Sequence, residues 1–273
     1  MARFQRPHMS ARLTQELELL PPGDLLVHAD LAEQALEGLV RAPRYATPQA
    51  AQTVVPCADI VAEDGRLIGQ ILFGEAFDIL FQRAGRIYGR ARRDGIVGWV
   101  SAEDVKLGAT RAAYRVSVLD ADLPFNALVQ GDEGLSADQL ASVGQFEADA
   151  VAVAEKFAGV AYRAGARSSQ SVDAIGLVQQ ALFACGLAAP RRAQDLALMG
   201  HGISLDQAER GDLVVWVHPT DSHQGHAALM SDNLHLVHAS AVSGVVTHEQ
   251  LADVAAGLSA LGYEAPSIRR LRY

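Results

Sequence analysis

The sequence has only two cysteines, Cys57 and Cys185, in 273 residues. They cannot build a disulfide framework, and a reducing compartment is compatible. No run of about 18 apolar residues occurs, which excludes an ordinary transmembrane helix. The opening residues MARFQRPHMSARLTQELELL are charged and polar, without the apolar stretch of a secretory signal, so a cytoplasmic location is expected. Basic residues are few: 23 Lys and Arg stand against 32 Asp and Glu, for a net charge of −9. With no basic block to track a phosphate backbone, nucleic acid is not an expected partner. Low-complexity tracts and internal repeats are absent too. What is present is 49% hydrophobic and 20% charged residues, the balance of a well-cored globular chain.

Along the chain the texture changes three times. Residues 1–45 read as a helical arm. SARLTQELELL forms one helix stopped by Pro21 and Pro22, and HADLAEQALEGLV a second with Asp30 as N-cap. Residues 46–108 are short β-rich runs broken by Asp64-Gly65, Gly74, Gly85 and Asp94-Gly95, the pattern of a small antiparallel barrel. Asp94-Gly95 is the sharpest hairpin signal. Residues 109–146 read as two strands and a loop, either a shrunken second barrel unit or a linker. Residues 147–273 begin helically with EADAVAVAEKFAGVAY. A second helix starts near Ala174, GDLVVWVHP, HAALMSD, LHLVHASA and SGVVTHEQL then read as strands of one antiparallel sheet, and SIRRLRY closes the chain as a polar strand candidate. The fold class is α+β.

These segments carry a resemblance. YRAGARSSQSVDAIGLVQQALFACGLAAPR, then GDLVVW, GHAALM and LVHASA, occur in the order of the NlpC/P60 family of papain-like cysteine peptidases. GIVGWVSAEDV ahead of them resembles the end of a bacterial SH3 domain. The resemblance implies a papain-like domain behind an SH3-like barrel, like members that trim short muropeptides at γ-D-glutamyl-diamino acid bonds. It implies a cysteine nucleophile at a helix N-terminus, where the dipole lowers a thiol pKa, and a histidine base oriented by a third polar group.

The family motif Asp-Cys-Ser-Gly-Leu-Val appears here as Asp173, Ala174, Ile175, Gly176, Leu177, Val178. Ala174 holds the nucleophile's place, and a methyl group cannot attack a carbonyl. His226 matches the base and His238 the orienting residue. The neighbours differ as well: Tyr-x-Trp-Gly-Gly reads Tyr162, Arg163, Ala164, Gly165, Ala166, and Arg-Asp-Ser reads Arg191, Arg192, Ala193. Tyr162, Arg167, Ser168, Asp173 and Ile175 are carried over as remnants of a substrate site. Asp173 also caps the helix, and Gly176 permits close packing against a strand.

The leading expectation is therefore an inactive homologue that binds, scaffolds or regulates, with a muropeptide or stem peptide, an active homologue or another protein as partner. No cofactor is expected. The first rival is a cell-wall peptide hydrolase with an unrecognised nucleophile. Cys185 lies about 16 Å further along the helix and reads as core; Cys57 reads as core too. Ser168, Ser169 and Ser171 would need a base of their own. The second rival is a metal-dependent enzyme using His218, His223, His226, His235, His238 and His248. Its pairs HQGH and HLVH are three apart, which in a strand places them on opposite faces. Trp216 and Phe183 read as core, and Trp99 and Tyr88 as lining a peptide groove or packing between domains.

Overall fold

The computed structural model describes residues 24–131, 133–220 and 224–271. The helix expected over SARLTQELELL lies outside these residues, as do Asp221 and His223.

The described chain opens with β1 (Val27–His28), β2 (Leu31–Glu33) and β3 (Arg44–Ala46), a sheet of their own in that order. The helix expected over HADLAEQALEGLV does not form. Leu26, Ala32 and Leu36 are buried, and Glu33 meets Arg90 of the following sheet through two hydrogen bonds. An extended path with a 3₁₀ turn at Gln34–Leu36 satisfies all four, so burial overrides the helical period. Asp30 caps nothing; it pairs with Arg44 at 2.9 Å.

Strands β4 (Gln49–Thr53), β5 (Cys57–Val61), β6 (Leu67–Leu72), β7 (Ala76–Arg83), β8 (Arg86–Ala91), β9 (Val97–Ser101) and β10 (Val105–Leu107) form a seven-stranded antiparallel sheet ordered β10-β4-β7-β8-β9-β5-β6. Ala58, Ile60, Ile71, Phe77, Ile87 and Val100 fill it. The expected hairpin is there: Gly95, at φ +80°, supplies the left-handed residue between β8 and β9. A three-stranded sheet follows, with β11 (Tyr114–Val116) between β12 (Leu128–Val129) and β13 (Leu140–Ser142).

The last segment contains α1 (Ala150–Lys156), β14 (Ala161–Tyr162), β15 (Ser171–Val172), α2 (Ala174–Ala184), α3 (Ala193–Leu196), β16 (His201–Ile203), β17 (Leu213–Val217), β18 (Gly225–Met230), β19 (His235–Ser240), β20 (Val245–Gln250), α4 (Leu251–Ala260) and β21 (Ser267–Arg270). Its eight strands run β15-β14-β20-β19-β18-β17-β21-β16. Alternation divides them between two cores. Leu213, Val215, Ala227, Leu229, Val237 and Ala239 face α1 and α2. Val214, Trp216, Ala228, Met230 and Leu236 face α4 through Leu251 and Val254. Leu251, Val254, Ala255 and Leu258 of α4 pack inward at helical spacing, but Gln250 at its start supplies no side-chain cap to announce the helix. Among the described residues no helix is long and apolar enough to cross a membrane.

Polar contacts join the two large sheets. The Arg167 guanidinium, fully buried, donates to Glu75 and to the Gln70 carbonyl at 2.9 Å. Arg93 donates to Glu75 at 2.7 Å, and Gln179 of α2 donates to Asp94 at 3.1 Å. Burial opposes ionisation of Glu75, but the Arg167 and Arg93 charges outweigh it and hold its pKa below the ordinary range.

Candidate functional site

Helix α2 is buried along its whole length, so its start is fixed on all sides. Asp173 caps it: one carboxylate oxygen accepts the Gly176 N–H at 2.7 Å, and the other accepts the Gly165 N–H at 2.8 Å. Arg191 donates to both oxygens, and its Nε reaches the Ile68 carbonyl of β6 at 3.0 Å. Gly176 is needed for a close approach, though to a loop and not a strand; a Cβ there would stand 2.2 Å from the Ala166 carbonyl oxygen. Ala174 and Ile175 occupy the first turn, 3% and 6% exposed. In general the N–H groups of a first turn have no intrahelical acceptor.

His226 on β18 stands opposite Trp216 in the register, and its ring packs edge-on against that indole. His238 lies on the same face of β19, since Leu236, two residues before it, packs with Trp216. The two rings meet, His226 Nε2 to His238 Nδ1, at 2.8 Å. Behind them, His238 Nε2 is 3.3 Å from the Glu249 carboxylate on β20. The chain is self-consistent in one tautomeric sense. Glu249 faces a proton on His238 Nε2, His238 Nδ1 accepts from His226 Nε2–H, and His226 Nδ1 keeps its lone pair. Burial, helped by the neighbouring His238, pushes the His226 pKa down to about 3. Burial lowers that of His238 also, and Glu249 offsets it only in part. Both rings are neutral near pH 7.

Ala174 and His226 line one cavity of about 360 Å³. Its walls come from three places: Arg66, Leu67 and Ile68 around β6; Tyr162, Asp173, Ile175 and Arg191 around α2; and Leu258, Leu261 and Tyr263 at the end of α4. Sequence reasoning thus placed Tyr162, Asp173, Ala174, Ile175 and His226 at one site, with His238 behind them. Two residues carried over by resemblance do not line it. Arg167 turns away to Glu75, and Ser168, buried, closes its own turn by hydrogen bonds with Gln170 and Ser171. Glu249 was missed; its only sequence signal is that it lies two residues beyond Thr247, which pairs with His238.

The other candidates fall elsewhere. Cys185 caps the far end of α2, and burial pushes its thiol up to about 11. Cys57, on β5, is pushed up to about 12, again by burial. Trp99 is 2% exposed and packs against His28, Phe81 and Tyr88; with Tyr88, His28 of β1 and Glu63 it lines a separate cavity of about 480 Å³. Trp216 and Phe183 are core. His235 pairs with Asp232 on the surface while His238 is buried, the opposite-face outcome expected for residues three apart. Among the described residues no group of three or more His, Cys, Asp or Glu is placed to hold a metal ion.

Comparison with known proteins came to the same region. The NlpC/P60 family model matches residues 159–256, and the model of the bacterial dipeptidyl-peptidase Sh3 domain matches residues 61–105. The crystal structure of an NlpC/P60 family protein from Bacillus cereus superposes with a TM-score of 0.67 at 13% identity, covering 81% of this chain and 99% of the other. NlpC1 from Trichomonas vaginalis gives a TM-score of 0.43 at 16% identity, over 83% of this chain and 94% of its own. The peptidoglycan hydrolase RipB from Mycobacterium tuberculosis gives 0.37 at 24% identity, over 45% of this chain and 64% of its own. No curated protein matches.

Proposed function

From the premise that this chain carries an NlpC/P60 domain behind a bacterial SH3 domain, we propose that it is an inactive member of that fold, one that binds a peptide-like ligand without cutting it. The fold is that of cell-wall peptidases, and a cell-wall peptide is the first ligand to test. One observation carries the reading: Ala174 stands at the head of α2, in the cavity that His226 also lines. A thiolate there would be activated by the helix end; a methyl group offers no nucleophile.

The remaining groups suit recognition. First-turn N–H groups can donate to a ligand carbonyl, and the lone pair of His226 can accept an amide N–H. A histidine held near pKa 3 is a poor general base at neutral pH, because efficient proton transfer wants a pKa near the working pH. Cys185 cannot take over from the opposite, buried end of the helix. A protein partner, such as an active homologue, is the second reading if no peptide binds.

The test is purified protein mixed with L-Ala-γ-D-Glu-diamino acid peptides, followed by calorimetry for binding and mass spectrometry for cleavage. Binding with the peptide intact is the expected result. Cleavage by the wild-type chain that disappears in His226→Ala would overturn the proposal.

A further inference from the structure

The charges that line the cavity each lie near an opposite charge of the protein, Arg66 the most loosely. Four charged side chains line it, and each has a partner. Asp173 and Arg191 form a two-pronged pair. Arg192 meets Asp24 at 2.7 Å and Asp195 at 3.1 Å, and Arg66 lies 3.8 Å from Asp64. Asp173 has no oxygen left for a ligand ammonium, since its two oxygens already take four donors. Arg191 has Nε, Nη1 and Nη2 all engaged. His226 is neutral near pH 7. A ligand with free charged ends would lose water here and gain no uncompensated partner, which is costly.

Beside these charges and the polar groups of Tyr162, Gln224, His226 and Tyr263, the cavity has an aliphatic side. Ala174 and Ile175 form its floor, and Leu67, Ile68 and Ile96 form the wall on the barrel side. Its lip is apolar and open to water. Leu261 is 68% exposed; Val242, next in the chain to the lining residue Ala241, is 96% exposed. Leu258 stands on the same lip at the end of α4. An uncovered aliphatic lip above a charge-matched cavity fits a ligand that brings its own aliphatic surface.

We infer that the ligand of this site is a neutral secondary amide flanked by an aliphatic group, its amide between the head of α2 and His226 and its chain against Leu258 and Leu261. That chemistry exists both in a fatty-acyl amide and in a peptide with leucine-like side chains and no free ends at the site. The inference rests on the reading of a binding cavity and specifies what it binds.

Calorimetry on the full chain with three probes tests it: octanoyl-L-alanine amide, N-acetyl-Leu-Ala-Leu amide and the charged tripeptide L-Ala-γ-D-Glu-L-Lys. At least one neutral probe is expected to bind about ten-fold more tightly than the charged one, a difference of about 1.4 kcal/mol. Which neutral probe binds better separates an acyl chain from a side chain. Leu261→Asp should weaken that binding by about ten-fold. Leu198→Asp, at a residue 78% exposed and outside the cavity lining, should leave it unchanged. Leu261 is itself exposed, so its variant is expected to fold; thermal melting checks this. Tighter binding of the charged tripeptide, or an indifferent Leu261→Asp, overturns the ligand class while leaving a non-cutting binder intact. Hydrolysis of a tightly bound neutral probe, seen by mass spectrometry, overturns the inactive reading and leaves the ligand class intact. No binding of any probe overturns both.

Discussion

Asp173 shows how much a single side chain does at this site. It caps α2, holds the Gly165 loop and neutralises Arg191, whose side chain is 6% exposed. Asp173→Ala would remove the cap and leave a buried guanidinium unpaired, so a loss of about 3–5 kcal/mol is expected in urea unfolding. Ala174→Cys is expected to give no measurable cleavage of L-Ala-γ-D-Glu-diamino acid peptides by mass spectrometry. The new thiol would meet a neutral His226 with a pKa near 3, and Ile175, Ala164 and Ala166 would still depart from the family pattern. Robust turnover by that variant would show an intact catalytic pocket. His226 also makes a pH prediction. Its folded pKa lies below the ordinary histidine value, so between about pH 6.5 and 3 the unfolded chain binds the extra proton. Stability is therefore fully present above pH 6.5 and lost as the pH falls. This one group contributes a slope of at most about 1.4 kcal/mol per pH unit. Denaturant unfolding of wild type and His226→Gln at pH 4, 5, 6 and 7 should give a flatter curve for the variant.

Among the elements, α2 is the most exacting. Gly176→Ala would place a methyl 2.2 Å from the Ala166 carbonyl, backbone against backbone, and a cost of about 1–3 kcal/mol is expected in the same unfolding assay. This helix was readable from sequence because cap, glycine and apolar run agree. The barrel strands were readable because glycine turns separate short alternating runs, as at Asp94-Gly95. Strands β17 to β20 announced themselves by the same alternation. Two elements were not readable, for opposite reasons. HADLAEQALEGLV has a helical period, but its apolar residues and Glu33 are claimed by the neighbouring sheet. LADVAAGLSA is a helix with a stripe of Leu251, Val254, Ala255 and Leu258, but it follows directly on β20 with no capping side chain to mark its start. The same helix supplies Leu258 to the cavity, which is why that wall was missing from the sequence reading. Glu249 stayed hidden because its position behind His238 depends on the pairing register of β19 with β20, a long-range fact.

At the scale of the whole molecule, the two large sheets are joined by charge. Arg167 reaches across to Glu75, both shut off from water, and Arg93 also lands on Glu75 from the partly exposed edge. Glu75→Ala would leave the buried Arg167 without its carboxylate and beside a second cation, Arg93, with an expected cost of about 3–5 kcal/mol in urea unfolding. The joint also predicts one cooperative transition. Trp99 reports on the barrel and Trp216 on the C-terminal sheet. Unfolding followed in Trp216→Phe and in Trp99→Phe should give coincident curves after each variant's own stability change is allowed for. A clear early transition at Trp99 would show that the joint is weak. The Arg167–Glu75 pair has a further consequence, for how such a chain can change over generations. A domain that keeps its own charges can be cut out and spliced elsewhere. Here a transplanted C-terminal half would carry Arg167 without the carboxylate that answers it, and the barrel left behind would keep Glu75 answered by Arg93 alone. Recombination between relatives must exchange both halves together, or change both ends of the pair at once.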